Sequence, residues 1–155
     1  MSALHPDRVR RRLLQGAGAF AMTACVSARA ADGGLPAIPA MTKFLAARTP
    51  RRERIRVDLP RLADNGFAVP MRITVAGPFA PGPFVRTIAV FSETNPVPDL
   101  AAFEFPLPLE RIEIDTRIRL AGTQQVVVLA ELTDGSLLAA AMEVVVTLAG
   151  CMDGT

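Results

Sequence analysis

The stretch Arg111-Ile112-Glu113-Ile114-Asp115-Thr116-Arg117-Ile118-Arg119-Leu120 decides the fold. Four aliphatic residues and Thr116 alternate with charged residues, which is typical of a β-strand with one buried and one solvated face. Because the charged residues are of both signs, we expect ion pairs with a neighbouring strand on the solvated face. The run 125–133 that follows is almost entirely apolar and predicts a central strand.

The rest of the chain supplies more short strands separated by Gly and Pro turns. They are predicted at 55–59, 67–76, 84–92, 101–105 and 137–148. Asp64-Asn65-Gly66 predicts a hairpin turn, and Asp134-Gly135 predicts a second turn. Pro70 interrupts the strand 67–76, which places that strand at an edge or a bulge. The Gly- and Pro-rich segment 77–83 is expected to be neither helix nor interior strand.

About seven such strands predict an all-β chain, an immunoglobulin-like antiparallel β-sandwich with a short N-terminal helical segment and a flexible C-terminal arm. We divide the chain into a signal peptide (1–30), a linker and short helix (31–52), the sandwich domain (53–148) and a cysteine-bearing arm (149–155). The helix is expected within 38–48, closed by Pro50. The basic run 51–56 is either a docking surface for an anionic partner or, as we favour, a solvated edge beside a strand.

The first 30 residues resemble an export signal. Arg10-Arg11-Arg12-Leu13-Leu14 matches the twin-arginine pattern, an apolar region follows to Val26, and Ala28-Arg29-Ala30 is a signal-peptidase site. An amphipathic domain helix fits poorly, since charged and apolar residues are segregated along the chain. We therefore predict a periplasmic protein exported by the twin-arginine route. The alternative cleavage before Cys25, within Met22-Thr23-Ala24-Cys25, would lipidate that cysteine and attach the protein to a membrane.

Composition excludes several classes of function. Five of the 17 basic residues and one of the 15 acidic residues lie in the first 30, which leaves 12 basic and 14 acidic side chains and no basic surface for nucleic acid. The only histidine, His5, leaves with the signal. We therefore expect no imidazole base, no metal site, no cofactor and no autonomous catalysis.

The remaining reactive group is the thiol of Cys151. If cleavage follows Ala30, it is the only cysteine of the mature chain, so it cannot form an internal disulfide. It is then an accident, an intermolecular link or a reactive handle. Near a chain end it is expected to be exposed and mobile.

Four stretches follow one another along the chain. They are Asn95-Pro96-Val97-Pro98 with Ala101-Ala102-Phe103-Glu104-Phe105, then Thr116-Arg117-Ile118-Arg119-Leu120, then Val128-Leu129-Ala130-Glu131-Leu132-Thr133-Asp134-Gly135, and finally Val146-Thr147-Leu148-Ala149-Gly150-Cys151. In this order they resemble the SoxY family, the sulfur carriers of periplasmic thiosulfate oxidation. The resemblance implies an immunoglobulin-like fold, sulfur intermediates bound covalently to Cys151, and a heterodimer with a SoxZ-like subunit. It also implies visits from a c-type cytochrome that loads thiosulfate, a hydrolase that releases sulfate and a sulfane dehydrogenase.

The end of the chain departs from the family pattern Gly-Gly-Cys-Gly-Gly. Gly150 precedes Cys151, and Met152, Asp153 and Gly154 follow it as the supporting arm. Met152 thickens the arm, and Asp153 is expected to disfavour the thiolate. The alternative function is therefore a structural or interaction subunit that pairs with a SoxZ-like partner and carries no sulfur.

Overall fold

The computed structural model describes residues 34–77, 79 and 81–150. These residues form one helix and eight strands, in agreement with the predicted all-β class. The helix is α1 (Pro39–Leu45). The strands are β1 (Ile55–Asp58), β2 (Leu62–Ala63), β3 (Val69–Ala76), β4 (Val85–Ser92), β5 (Asp99–Glu104), β6 (Arg111–Ile118), β7 (Gln124–Leu132) and β8 (Leu137–Val146).

The strands form two sheets. One has three strands in the order β1-β3-β6, and the other has five in the order β2-β8-β7-β4-β5. Every pairing is antiparallel except that of the two-residue β2 with β8, which is parallel. As the apolar pattern predicts, β7 is the central strand of the larger sheet.

The main core lies between the two sheets. On β3, buried and exposed residues alternate along most of the strand, and on β6 Ile112 and Ile118 are buried while their charged neighbours are exposed. Arg72 on β3 pairs with Asp115 on β6 across the solvated face at 2.6 Å, which confirms the expected cross-strand charge pairing. The alternation therefore sets which face each strand turns to the core.

The outer face of the five-stranded sheet carries a second core. The N-terminal segment packs Ile38 and Met41 onto Phe91, Val127 and Leu129. Because the sequence of β7 is apolar on both faces, it predicts that some apolar surface is available to a second subunit. The structure corrects this for Val127 and Leu129, because the chain's own α1 covers them.

Two local predictions were wrong. Asn65-Gly66 does not close a tight hairpin: between β1 and β3 the chain crosses to the other sheet as β2. Pro70 lies in a central strand rather than at an edge or a bulge. It is tolerated because β3 extends past the end of β1, so at Pro70 only β6 lies alongside.

The helical segment ends earlier than the sequence predicts. Ala46 and Ala47 adopt left-handed backbone conformations, with φ of 47° and 63°, and stop the helix before Pro50. In the part of the chain that the structure describes, the helix has seven residues and is too short to span a bilayer.

Candidate functional site

The predicted carrier site lies at the end of the described chain. Gly150 is described, and it is buried. Cys151, Met152, Asp153 and Gly154 lie outside the described residues. The geometry of Gly150 therefore gives the point at which the cysteine-bearing segment joins the domain.

Three backbone hydrogen bonds hold this point just past the ends of β6 and β8. The Gly150 N–H donates to the Leu120 carbonyl at 2.7 Å, and the Leu120 N–H donates to the Gly66 carbonyl at 2.8 Å. The Gly66 N–H donates to the Leu148 carbonyl, also at 2.8 Å. We call these four residues, Gly66, Leu120, Leu148 and Gly150, the tail clamp.

The clamp depends on two glycines in close contact. A Cβ placed on Gly150 would lie within 3.0 Å of the Gly66 backbone and the Phe67 nitrogen. One placed on Gly66 would lie within 3.0 Å of the Leu120 carbonyl oxygen and the Gly150 nitrogen. Neither glycine has a positive φ, so each is required for close approach rather than for its own backbone conformation.

Side-chain hydrogen bonds support the segment that leads into the clamp. The Val146 N–H donates to the Thr123 hydroxyl at 3.0 Å, and the Thr147 hydroxyl donates to the Asp64 carbonyl at 2.8 Å. The end of β8 is thereby tied both to the loop after β2 and to the loop before β7.

Two exposed apolar side chains and an arginine border the clamp. The side chains of Phe67 and Leu148 are 45% and 55% exposed. The Arg119 guanidinium lies over the Phe67 ring, 5.7 Å from its centroid. Since Arg119 precedes Leu120 and Phe67 follows Gly66, this cation–aromatic pair borders the tail clamp.

A cluster of two arginines and one carboxylate lies elsewhere, around Glu131 of β7. Arg48 donates to its carboxylate at 2.6 Å, and Arg86 approaches it at 3.3 Å. The hydrogen bond from Arg48, aided by Arg86 and opposed by burial, lowers the pKa of Glu131 below its ordinary value. These contacts stabilise the fold and have no link to the clamp.

Three arginine side chains of the basic run 51–56 make contacts within the domain. Arg51 pairs with Glu53, Arg56 pairs with Asp58, and Arg54 lies over the Phe79 ring at 4.5 Å. These contacts favour the solvated-edge interpretation. In the part of the chain that the structure describes, no three His, Cys, Asp or Glu residues are grouped to hold a metal ion.

Sequence reasoning missed Gly66 and Leu120 as parts of the site. The sequence pattern predicts a hairpin turn at Gly66 and places Leu120 at the last buried position of an alternating strand. Leu120 carried a signal, because it closes one of the stretches that resemble the SoxY family. The pairing of Gly66 with Gly150 spans most of the domain and left no local signal.

Comparisons with known proteins agree with the resemblance. The sequence model of the family described as sulfur oxidation protein SoxY matches residues 41–151, so the match ends at Cys151. The solved structure of the sulfur carrier protein SoxY from Chlorobium limicola f thiosulfatophilum is similar, with 29% identity and a TM-score of 0.57. The similarity covers 70% of this chain and 94% of that one.

Other solved structures are more distant. A superoxide reductase (neelaredoxin) from Ignicoccus hospitalis has 14% identity and a TM-score of 0.47, over 61% of this chain and 80% of that one. The corresponding protein from Archaeoglobus fulgidus has 8% identity and a TM-score of 0.47, over 59% and 86%. Likenesses this weak carry no argument about function. No curated protein matches the sequence significantly.

Proposed function

Because the chain belongs to the SoxY family of sulfur oxidation proteins, we propose that it is a sulfur carrier that holds sulfur-oxidation intermediates on the thiol of Cys151. The observation that carries the proposal is the tail clamp. It anchors the backbone at Gly150, the residue bonded to Cys151, by a hydrogen bond and a close glycine contact. A carrier must present its thiol to several enzymes from one defined origin, and a clamp at the neighbouring residue provides that origin.

The chemistry is expected to be supplied by partners. Loading joins the Cys151 thiolate to the outer sulfur of thiosulfate, which forms one S–S bond and releases two electrons to an acceptor such as a c-type cytochrome. Hydrolysis then places a water oxygen on the terminal sulfur, releases sulfate and two protons, and leaves a persulfide on Cys151. A sulfane dehydrogenase would then oxidise the terminal sulfur of that persulfide to a sulfonate, which adds three oxygens from water, releases six protons and passes six electrons to an acceptor such as a c-type cytochrome.

Arg119 is suited to this cycle. The loaded thiosulfonate and the persulfide are both anionic, and a guanidinium beside the clamp favours anions near it. Asp153 would act in the opposite direction. The exposed Phe67 and Leu148 would give visiting enzymes an apolar contact around the tail.

The remaining parts of the proposal come from the resemblance and the N-terminal signal. The protein would be exported to the periplasm by the twin-arginine route and would pair with a SoxZ-like subunit. Lipidation at Cys25 is the alternative to cleavage after Ala30.

The direct test is intact-mass analysis of the protein purified from its own host grown on thiosulfate. We expect a sulfur adduct on the wild-type chain, no adduct on Cys151→Ser, and an unchanged adduct on the matched control Cys25→Ser. Growth on thiosulfate should be lost with Cys151→Ser. If that variant still supports thiosulfate oxidation, the carrier role is wrong and the structural-subunit alternative is favoured.

A further inference from the structure

Two amide side chains lie beside the tail clamp, Asn95 in the loop before β5 and Gln124 at the start of β7. Gln124 is buried, with 3% of its surface exposed, although it is polar. Asn95 begins the Asn95-Pro96-Val97-Pro98 stretch and is half-buried. A buried amide is costly unless its donors and acceptors are satisfied, so the contacts of these two side chains indicate what they hold in place.

The Asn95 amide forms hydrogen bonds with the backbone on both sides of Leu120. Its Nδ2 donates to the Arg119 carbonyl at 2.8 Å, and its Oδ1 accepts the Ala121 N–H at 2.8 Å. The amide therefore uses its donor on the residue before Leu120 and its acceptor on the residue after it.

Gln124 completes the network. Its Nε2 donates to Asn95 Oδ1 at 2.8 Å and to the Gly122 carbonyl at 3.2 Å. Its Oε1 accepts the Thr94 N–H at 3.0 Å. Gln124 thus fixes the orientation of the Asn95 amide and ties it to the loop before β7.

Leu120 connects this network to the tail clamp, because Asn95 bonds the Arg119 carbonyl and the Ala121 N–H, which belong to the two peptide groups on either side of Leu120. Its side chain is fully buried, and its own N–H and carbonyl bond to Gly66 and Gly150. With its neighbours held by Asn95, its two peptide planes have little freedom to rotate. The position of Gly150 therefore depends on Asn95 through Leu120.

We propose that Asn95 and Gln124 are positioning residues that set where the Cys151 segment leaves the domain, through the backbone of Leu120. The positioning itself stands on the described geometry. Its use in presenting a sulfur-bearing thiol rests on the proposed function.

The test is amide hydrogen exchange measured by NMR on the full chain. In Asn95→Ala, the Gly150 and Leu120 amides should exchange at least about tenfold faster relative to the amides of β3, because Arg119, Ala121 and Gln124 lose partners at once. Asn95→Asp keeps the acceptor for Ala121 but cannot donate to Arg119, so it should give an intermediate acceleration. If Asn95 only stabilised the fold as a whole, its replacement would accelerate the exchange of all amides by a similar factor.

Glu131→Gln is the matched control, since it weakens a polar cluster that has no link to the clamp. It should leave the exchange of Gly150 relative to β3 unchanged. If Asn95→Ala leaves Gly150 as protected relative to β3 as in the wild type, the positioning role is wrong.

A second measurement covers the case in which Asn95→Ala does not fold. In the wild-type chain at increasing urea, the Leu120, Ala121 and Gly150 amides should become exposed in one opening event. Opening of Gly150 at lower urea than Ala121 would overturn the inference. Intact mass separates the two hypotheses: a sulfur adduct on Cys151 with an unaffected Gly150 refutes only the positioning role, and coupled exchange without an adduct refutes only the carrier role.

Discussion

The position at which the backbone leaves the domain at Gly150 depends most directly on Gly66 and on Gly150 itself. Each lies where the backbone of the other, or that of Leu120, fills the space of a Cβ. The family pattern Gly-Gly-Cys-Gly-Gly places glycines on both sides of the cysteine. For Gly150 the structure assigns a packing reason, because close approach lets its N–H reach Leu120.

A substitution series at glycine tests this role. Gly66→Ala should lower the free energy of unfolding by at least about 2 kcal/mol, since its Cβ would meet backbone that cannot yield locally. Gly122→Ala is the matched control, because a Cβ there meets nothing within 4 Å. It should change stability by less than about 1 kcal/mol, in either direction. Urea unfolding followed by circular dichroism measures both, and equal losses would contradict the packing role.

For single residues, the sequence predicts the structure correctly where a residue acts on its neighbours in the chain. Asp134-Gly135 turns the chain as predicted, with Gly135 at φ 81°. The Asn65 side chain makes a local turn by accepting the Phe67 N–H at 2.7 Å, yet Gly66 serves a contact with Gly150. A contact between residues so far apart in the chain leaves no trace in local spacing.

Among the elements, α1 shows how a helix too short to be stable alone is held in place. It has seven residues and no side-chain cap at its N-terminus, so packing must stabilise it. Arg48 folds back on its C-terminal end and donates to the Phe44 and Leu45 carbonyls at 2.8 and 3.0 Å. The same guanidinium reaches Glu131 and the Gly135 carbonyl. One side chain therefore joins the helix to the β7–β8 turn.

Replacing Arg48 should release the helix end from the sheet. Arg48→Met keeps most of the aliphatic side chain and removes the donors, and we expect a loss of about 1–3 kcal/mol in the free energy of unfolding. Arg51→Met, at an exposed pair with Glu53, is the control and should cost at most about 1 kcal/mol. Urea titrations of the two variants and the wild type provide the comparison. Similar losses in both would show that Arg48 acts only as a surface charge.

The helix also marks a limit of the sequence prediction for elements. The apolar pattern of 125–133 correctly predicts a central strand. It does not predict what covers the outer face, because Ile38 and Met41 lie far upstream in a segment too short for a clear helical period. The covering of the outer face therefore depends on a contact between distant parts of the chain, which local sequence patterns do not show.

For the whole molecule, alternation and turn residues predict the sandwich, because each strand must bury one face wherever it pairs. They do not predict that the chain changes sheets at β2. That two-residue strand has no pattern of its own, and its parallel pairing with β8 brings the loop containing Gly66 beside Leu148 and Gly150. The sequence therefore predicts which cysteine would carry sulfur, but it does not predict where the segment that bears this cysteine joins the fold.

The pH dependence of global stability provides a test of how the parts are joined, because Glu131 bonds to Arg48 beyond the helix and to Arg86 on β4. Its pKa is lowered from an ordinary value of 4.5, with the hydrogen bond from Arg48 as the main cause. A carboxyl whose pKa is lower in the folded state binds fewer protons there than in the unfolded state. Its contribution is therefore complete above pH 4.5 and is lost as the pH falls through the folded-state pKa.

Glu131→Gln should consequently reduce the free energy of unfolding at pH 7 by about 1–3 kcal/mol and flatten its decline below pH 4.5. Exposed Glu143→Gln serves as the matched control and should follow the wild-type curve. Urea unfolding at a series of pH values from neutral to acid measures all three proteins. Parallel wild-type and Glu131→Gln curves would mean that the acid sensitivity originates elsewhere, and that the bond to Arg48 does not couple helix and sheet.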